Sequence, residues 1–132
     1  MNLVESISQA IATMEGYFKS GTIAQRNNNP GNLRSWGSNP VVNGYAVFPT
    51  PEAGWQALYQ QIGKNIDRGL TLQEFFGGKP GIYSGYAPSA DANDPRGYAQ
   101  YVAGQTGISP TIPLNTIGDS PPNPTRPPGR KK

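Results

Sequence analysis

The apolar residues of this chain fall at helical spacing in separate runs, and the first run is divided from the second by a long polar segment without an acid. Val4, Ile7, Ile11, Met14 and Phe18 follow the i, i+3, i+4 rule. They predict an amphipathic helix that Gly16 weakens and Gly21 ends. From Gly16 to Pro51 there is no Asp or Glu, and the segment is rich in Gly and Asn. Glu15 stands at this boundary, four residues after Ile11 and three before Phe18, which puts it at the edge of the buried stripe. An arbitrary glutamate there would be a solvated helix-end carboxylate. This one has Met14, Tyr17 and Phe18 beside it, and a negative charge at a helix C-terminus is opposed by the macrodipole. Desolvation and the dipole both favour the protonated acid. One acid against an apolar stripe, facing neutral hydrogen-bonding side chains, is an arrangement for donating a proton to a neutral polar polymer, a glycan foremost.

The downstream punctuation predicts the remaining elements. Asn43-Gly44 is a hairpin signal ahead of Tyr45–Phe48, with the partner strand either at Leu33–Trp36 or at Val41-Val42. Thr50-Pro51-Glu52 opens a helix whose apolar face is Trp55, Leu58, Tyr59, Ile62 and Ile66, and Gly69 stops it. Thr71 and Glu74 form a capping box for a short helix through Phe75 and Phe76. A Gly/Pro-rich loop covers 77–93. Asp94-Pro95 starts a helix carrying Tyr98, Tyr101 and Val102, with Gly107 just past its end. Ile112, Leu114 and Ile117 are available to pack on the core. The expected fold class is α+β, predominantly α, with a small β-hairpin lobe. One domain over residues 1–118 is followed by a Pro-rich basic tail, 119–132, read as disordered or polyproline II.

The composition removes most catalytic chemistries. A chain of 132 residues suits one domain with a modest core. With no Cys and no His there is no disulfide, thiol nucleophile, imidazole base, Ser-His-Asp triad or His/Cys zinc site. No metal or cofactor is expected. Residues 1–118 carry seven basic and seven acidic side chains, so the whole net charge of +3 comes from the tail. The domain therefore gives no signal of a basic nucleic-acid face. No run approaches the eighteen or so apolar residues of a membrane span. The N-terminus lacks a basic n-region and reads as no secretory signal. The chain is expected to be made in the cytoplasm and to reach a wall substrate by another route, with a phage virion or wall-delivery system as possible partner.

Three elements together carry a resemblance. They are Ile11-Ala12-Thr13-Met14-Glu15-Gly16-Tyr17, Arg26-Asn27-Asn28-Asn29-Pro30-Gly31-Asn32-Leu33-Arg34, and Gly44-Tyr45-Ala46-Val47-Phe48-Pro49-Thr50-Pro51-Glu52-Ala53-Gly54. With Leu72–Phe76 and Tyr86-Ala87-Pro88 … Asp94 … Tyr98, the chain over roughly residues 4–108 resembles phage and prophage lysozyme-like proteins related to peptidoglycan lytic transglycosylases. The resemblance implies a lysozyme-like fold with Glu15 as catalytic acid at the end of the first helix. It implies that Asn29–Arg34 lines the sugar cleft, with Asn29, Asn32 and Arg34 as substrate contacts. It also implies that Tyr86, Tyr98 or Tyr101 stands near the acid. Tyrosines also serve as core aromatics with the hydroxyl at the surface; that reading is favoured for Tyr98 and balanced by the functional one for Tyr101, so Tyr86 and Tyr101 are the expected site tyrosines. The chain departs from the family pattern in having Gly16, where a Ser follows the Glu.

The expected activity is cleavage of the β-1,4 bond between N-acetylmuramic acid and N-acetylglucosamine in peptidoglycan strands. Two-carboxylate hydrolysis needs a partner acid within about 5–9.5 Å, and the hairpin lobe has none to offer. Lytic transglycosylation needs only one, because the sugar's own C6 hydroxyl attacks. The rivals are a hydrolytic muramidase recruiting Asp91 or Asp94, and a virion or structural protein that binds glycan without turnover.

Overall fold

The computed structural model describes residues 1–87 and 94–118. The expected tail, 119–132, and Asp91 lie outside the described residues. The order of elements is α1 (Leu3–Met14), α2 (Ile23–Arg26), β1 (Val41–Val42), β2 (Tyr45–Ala46), α3 (Pro51–Asp67), α4 (Leu72–Gly77), α5 (Pro95–Thr106) and a 3-10 turn at Leu114–Thr116. The protein is predominantly helical with one small two-stranded antiparallel sheet. No described helix is long and apolar enough to cross a membrane.

The helices begin where the side chains can satisfy their free N–H groups. Asn2 and Glu5 form a reciprocal capping box on α1. Thr50 accepts from Ala53 N–H at the start of α3, with Pro51 in the first turn. Thr71 and Glu74 form the second capping box, and Asp94 caps α5 through Gly97 N–H. The ends of α3 and α5 are marked by Gly69 and Gly107, both with positive φ.

Apolar faces of α1, α3, α4 and α5 converge on one core. Ile7, Ile11, Leu58, Ile62, Leu72, Phe75, Phe76, Val102 and Leu114 are all fully buried in it. Side chains of this size contribute about 1.5–3 kcal/mol each on burial. Of the residues expected to extend the core at the C-terminal end, Leu114 and Ile117 do pack there, whereas Ile112 is exposed.

A second, smaller cluster, Leu33, Ala46 and Phe48 of the hairpin lobe with Ala57 of α3, seats the lobe on the helices. Val41 pairs with Ala46 and Val42 with Tyr45, around Asn43 and Gly44, both at positive φ. Two consecutive positive φ angles are what a type I′ turn requires. Both expected strand partners meet β2: Val41-Val42 supplies the ladder on one side, and Leu33 accepts from Ala46 N–H on the other.

The first helix is shorter than expected. It stops at Met14 because Gly16, at φ +81°, closes it in a Schellman turn. Tyr17 N–H donates to Ala12 O at 3.0 Å and Gly16 N–H to Thr13 O at 3.1 Å. Met14 and Phe18 are therefore exposed, at 45% and 58%, and do not shield Glu15 as the spacing had implied.

Candidate active site

Between the helical core and the hairpin lobe lies a cleft of about 370 Å³. Glu15 sits in its wall, facing Asn32 and Arg34 from the segment ahead of the hairpin, and Tyr86 and Tyr98 from the helical side. The Schellman turn explains Gly16. The residue after the acid must be left-handed, and a side chain at that position would also press on Thr22 Cγ2. A Ser, like any residue with a Cβ, would be strained here.

Each carboxylate oxygen of Glu15 accepts one hydrogen bond. The Tyr98 hydroxyl donates to Oε2 at 2.6 Å, and Asn32 Nδ2 donates to Oε1 at 3.1 Å. Tyr98 arrives from α5, and its ring stacks on Phe76 at a 4.2 Å centroid distance. Asn32 is held at φ +50°, a conformation Asn tolerates better than most residues. Its Oδ1 is buried and has no partner among the described residues.

Burial lifts the Glu15 carboxyl above the usual carboxylate range, while the Tyr98 bond, the Asn32 bond and the charge of Arg34 pull it back in that order. Burial, and then the Glu15 charge, push the hydroxyls of Tyr86 and Tyr98 well above their ordinary value. Both phenols stay neutral and serve as donors. The acid is thus held by neutral donors, and what raises its proton affinity is its burial in the cleft wall.

The other expected site residues divide. Asn32 and Arg34 line the cleft. Asn29 does not: it is fully buried, and its side chain is occupied by the lobe's own backbone. Its Nδ2 donates to Leu33 O and Ala46 O, and its Oδ1 accepts from Leu33 N–H. It is a pin for the segment that carries Asn32 and Arg34, not a sugar contact. Tyr86 lines the cleft, but its hydroxyl is spent on Gly31 O, fastening the same segment to the helical side. Gly31 has no room for a side chain, because the Tyr86 hydroxyl and the Leu58 methyls occupy that space. Tyr101 is half-buried against the helical core and is not among the cleft residues. The tyrosine that reaches the acid is Tyr98, which was expected to be a core aromatic with its hydroxyl at the surface. The core assignment holds for the ring, while the hydroxyl faces Glu15.

Trp36, Tyr45, Gln61 and Tyr83 also line the cleft and were not expected there. Their signal was weak: aromatic and amide side chains flanking Gly-rich loops read equally well as surface residues. Among the described residues the cleft lining holds one carboxylate, Glu15. Asp94, a suggested second acid, is engaged as the cap of α5. No cluster of acidic residues suited to a metal ion is found among the described residues. Comparison of the chain with protein-family models, with curated proteins and with solved structures gives no match.

Proposed function

We propose that this chain is a peptidoglycan lytic transglycosylase of lysozyme-like fold, cleaving the β-1,4 bond after N-acetylmuramic acid with Glu15 as its single catalytic acid. The observation that carries the reading is the pairing of a half-buried acid, held at both oxygens by neutral donors, with a cleft that offers no second carboxylate among the described residues. The disposition of an acid at the end of the first helix, opposite a small hairpin lobe, supports the fold assignment.

An ordinary glutamic acid, with pKa about 4.3, is protonated only a few parts per thousand at pH 7. Each unit of upward shift raises that share about tenfold, so the enclosure of Glu15 favours its acid form. In the proposed reaction Glu15 gives its proton to the glycosidic oxygen, and the bond from the muramic C1 to that oxygen breaks. The C6 hydroxyl of the same sugar then attacks C1, and the Glu15 carboxylate takes its proton. A C1–O6 bond replaces C1–O4, the leaving sugar gains a hydroxyl, and no water is consumed. The attacking group is already tethered to the reacting ring, which favours it over free water. Asn32 Oδ1, a buried acceptor without a partner, is suited to an N–H of an acetamido group.

Action at the bacterial wall, with delivery as part of a phage particle or a host export route, belongs to the same proposal. The test is digestion of purified peptidoglycan followed by mass spectrometry. The expected products are lighter by one water than hydrolytic muropeptides and carry no new reducing end. Glu15→Gln should fold and lose about 10²–10⁴-fold in rate. Hydrated, reducing products would replace this mechanism with hydrolysis and direct attention to Asp91. No cleavage by a folded wild-type protein that still binds the strands would leave a glycan-binding role.

A further inference from the structure

Three of the aromatic residues that line the cleft each carry a cation against the ring. Arg34 Cζ lies 4.9 Å from the centre of the Tyr45 ring, Lys64 Nζ 5.1 Å from Trp36, and Arg68 Cζ 5.1 Å from Tyr83. All three rings belong to the cleft. Gln61 and Lys64 of α3 and Arg68, its C-cap residue in helical conformation, are spaced i, i+3 and i+7, so they share one stripe, and Gln61 lines the cleft. Arg68 is further fixed by Nη1 donating to Oδ1 of the fully buried Asn65 at 2.7 Å.

None of the three cations makes an ion pair among the described residues, and the acid whose charge Arg34 feels is Glu15. Among the described residues the ion pair present is Lys79 with Glu74 at 3.9 Å, and the carboxylate in the cleft is Glu15. Lys64 and Arg68, four apart on one helix, repel each other. Arg34 also works against protonation of the catalytic acid. A neutral polysaccharide can use these side chains as N–H donors to its hydroxyls but makes no use of their charge. A ligand that brings carboxylates of its own uses both the donors and the charge.

We propose that Arg34, Lys64 and Arg68 form an anion-reading rim that takes the carboxylates borne by the glycan strand, on its attached peptides or, where a sugar carries no peptide, on its free lactyl group. The cleft thereby selects an acidic glycan over a neutral one of the same backbone. The inference rests on the glycan reading of this cleft and adds to it the charge class of the substrate and two specificity residues, Lys64 and Arg68. The rings restrain the cationic side chains before binding, which lowers the ordering cost on capture. The guanidinium forks of Arg34 and Arg68 keep further N–H donors for a carboxylate.

The test is binding to the full chain carrying Glu15→Gln, which prevents turnover. Two soluble ligands of equal length are titrated calorimetrically: an N-acetylglucosamine oligomer, and one alternating with N-acetylmuramic acid with its lactyl carboxylates free. The acidic oligomer should bind more tightly, with an advantage that shrinks as salt is raised. Lys64→Gln and Arg68→Gln, each checked for folding by thermal melting, should each weaken the acidic ligand about two- to fivefold and leave the neutral one unchanged. Lys79→Gln, removing the paired cation, should change neither. Equal affinity for both oligomers, or equal losses on both, would overturn the rim while leaving the glycan cleft standing. Competition by polyglutamate as strong as by the acidic oligomer would make the rim a general polyanion surface and overturn it too. Failure of both oligomers to bind would reject the glycan reading itself, and the rim with it.

Discussion

The helical half and the hairpin lobe are held together by different means. Behind Glu15, α1, α3, α4 and α5 bury a continuous set of large apolar side chains. The lobe contributes only Leu33, Ala46 and Phe48 to a cluster against Ala57 of α3, and its two strands are two residues each. What fixes it is a set of amides. Asn29 makes three hydrogen bonds to the backbone of Leu33 and Ala46, Asn28 donates to Phe48 O, and the Tyr86 hydroxyl donates to Gly31 O. The close approach is allowed by Gly54, whose missing side chain leaves room for the Asn28 carbonyl. The lesson is that a cleft needs one wall that can be rigid without being thick. A buried side-chain amide ties non-local backbone segments where there is too little chain to build a sheet.

This contrast predicts unequal responses. Phe76→Ala removes a fully buried ring from the helical core, on which both Tyr86 and Tyr98 pack. It should cost about 3–5 kcal/mol in a denaturant melt, and activity should fall in step with the folded fraction. Asn29→Ala takes away the acceptor of Leu33 N–H and a donor to Ala46 O. The expected loss is about 1–3 kcal/mol. Here the order of effects reverses, because the displaced segment carries Asn32 and Arg34. Under conditions where the variant is fully folded, its activity should still drop. If Asn29→Ala is as active as the wild type when folded, the lobe is held by its apolar cluster and the contrast fails.

The two halves were also unequally legible. Helix starts are local chemistry, and Thr50-Pro51, Thr71 with Glu74, and Asp94-Pro95 each mark one. The Asn43-Gly44 turn and the placement of Glu15 at a helix end were readable for the same reason. The helix Ile23–Arg26 is too short to show a period and was missed. Periodicity placed the Tyr98 ring inside but said nothing of its hydroxyl, whose partner is 83 residues away in sequence. Polar composition made Asn29 look like a ligand residue. Whether an amide faces a sugar or its own backbone depends on contacts such as that with Ala46, 17 residues on, which no local pattern encodes.

Gly16 joins the two halves, since it ends α1 and turns the chain toward the lobe. At φ +81° a Cβ is disfavoured, so Gly16→Ala should cost about 1–2 kcal/mol. Gly16→Asn should cost less, because Asn tolerates the left-handed region. Both are read by thermal melting. A stability unchanged by Ala would mean that the Schellman turn is not what aims Glu15.

The smallest expected effect separates the acid from everything around it. Burial penalises ionised Glu15, but Tyr98, Asn32 and Arg34 offset part of that penalty. Because the folded-state pKa is raised above the unfolded value, the folded state binds more protons between the two. Stability tied to Glu15 is therefore fully present below the unfolded pKa and is lost as pH rises through the folded one. Gln at this position carries no charge to desolvate, and its amide can donate to Asn32 Oδ1 once the Asn32 side chain turns over. Glu15→Gln should then be slightly more stable than the wild type at neutral pH, and the gap should close as the pH is lowered through the Glu15 titration. Taking the difference between the two melts cancels the other carboxylates. Tyr98→Phe removes the largest of the offsetting contributions, so its own loss of stability relative to the wild type should grow as Glu15 ionises. If Glu15→Gln were instead the less stable protein at neutral pH, with a deficit that vanished in acid, the donors of the cleft would be solvating the carboxylate better than water does. Glu15 would then be held as an anion, and its role as proton donor would fall.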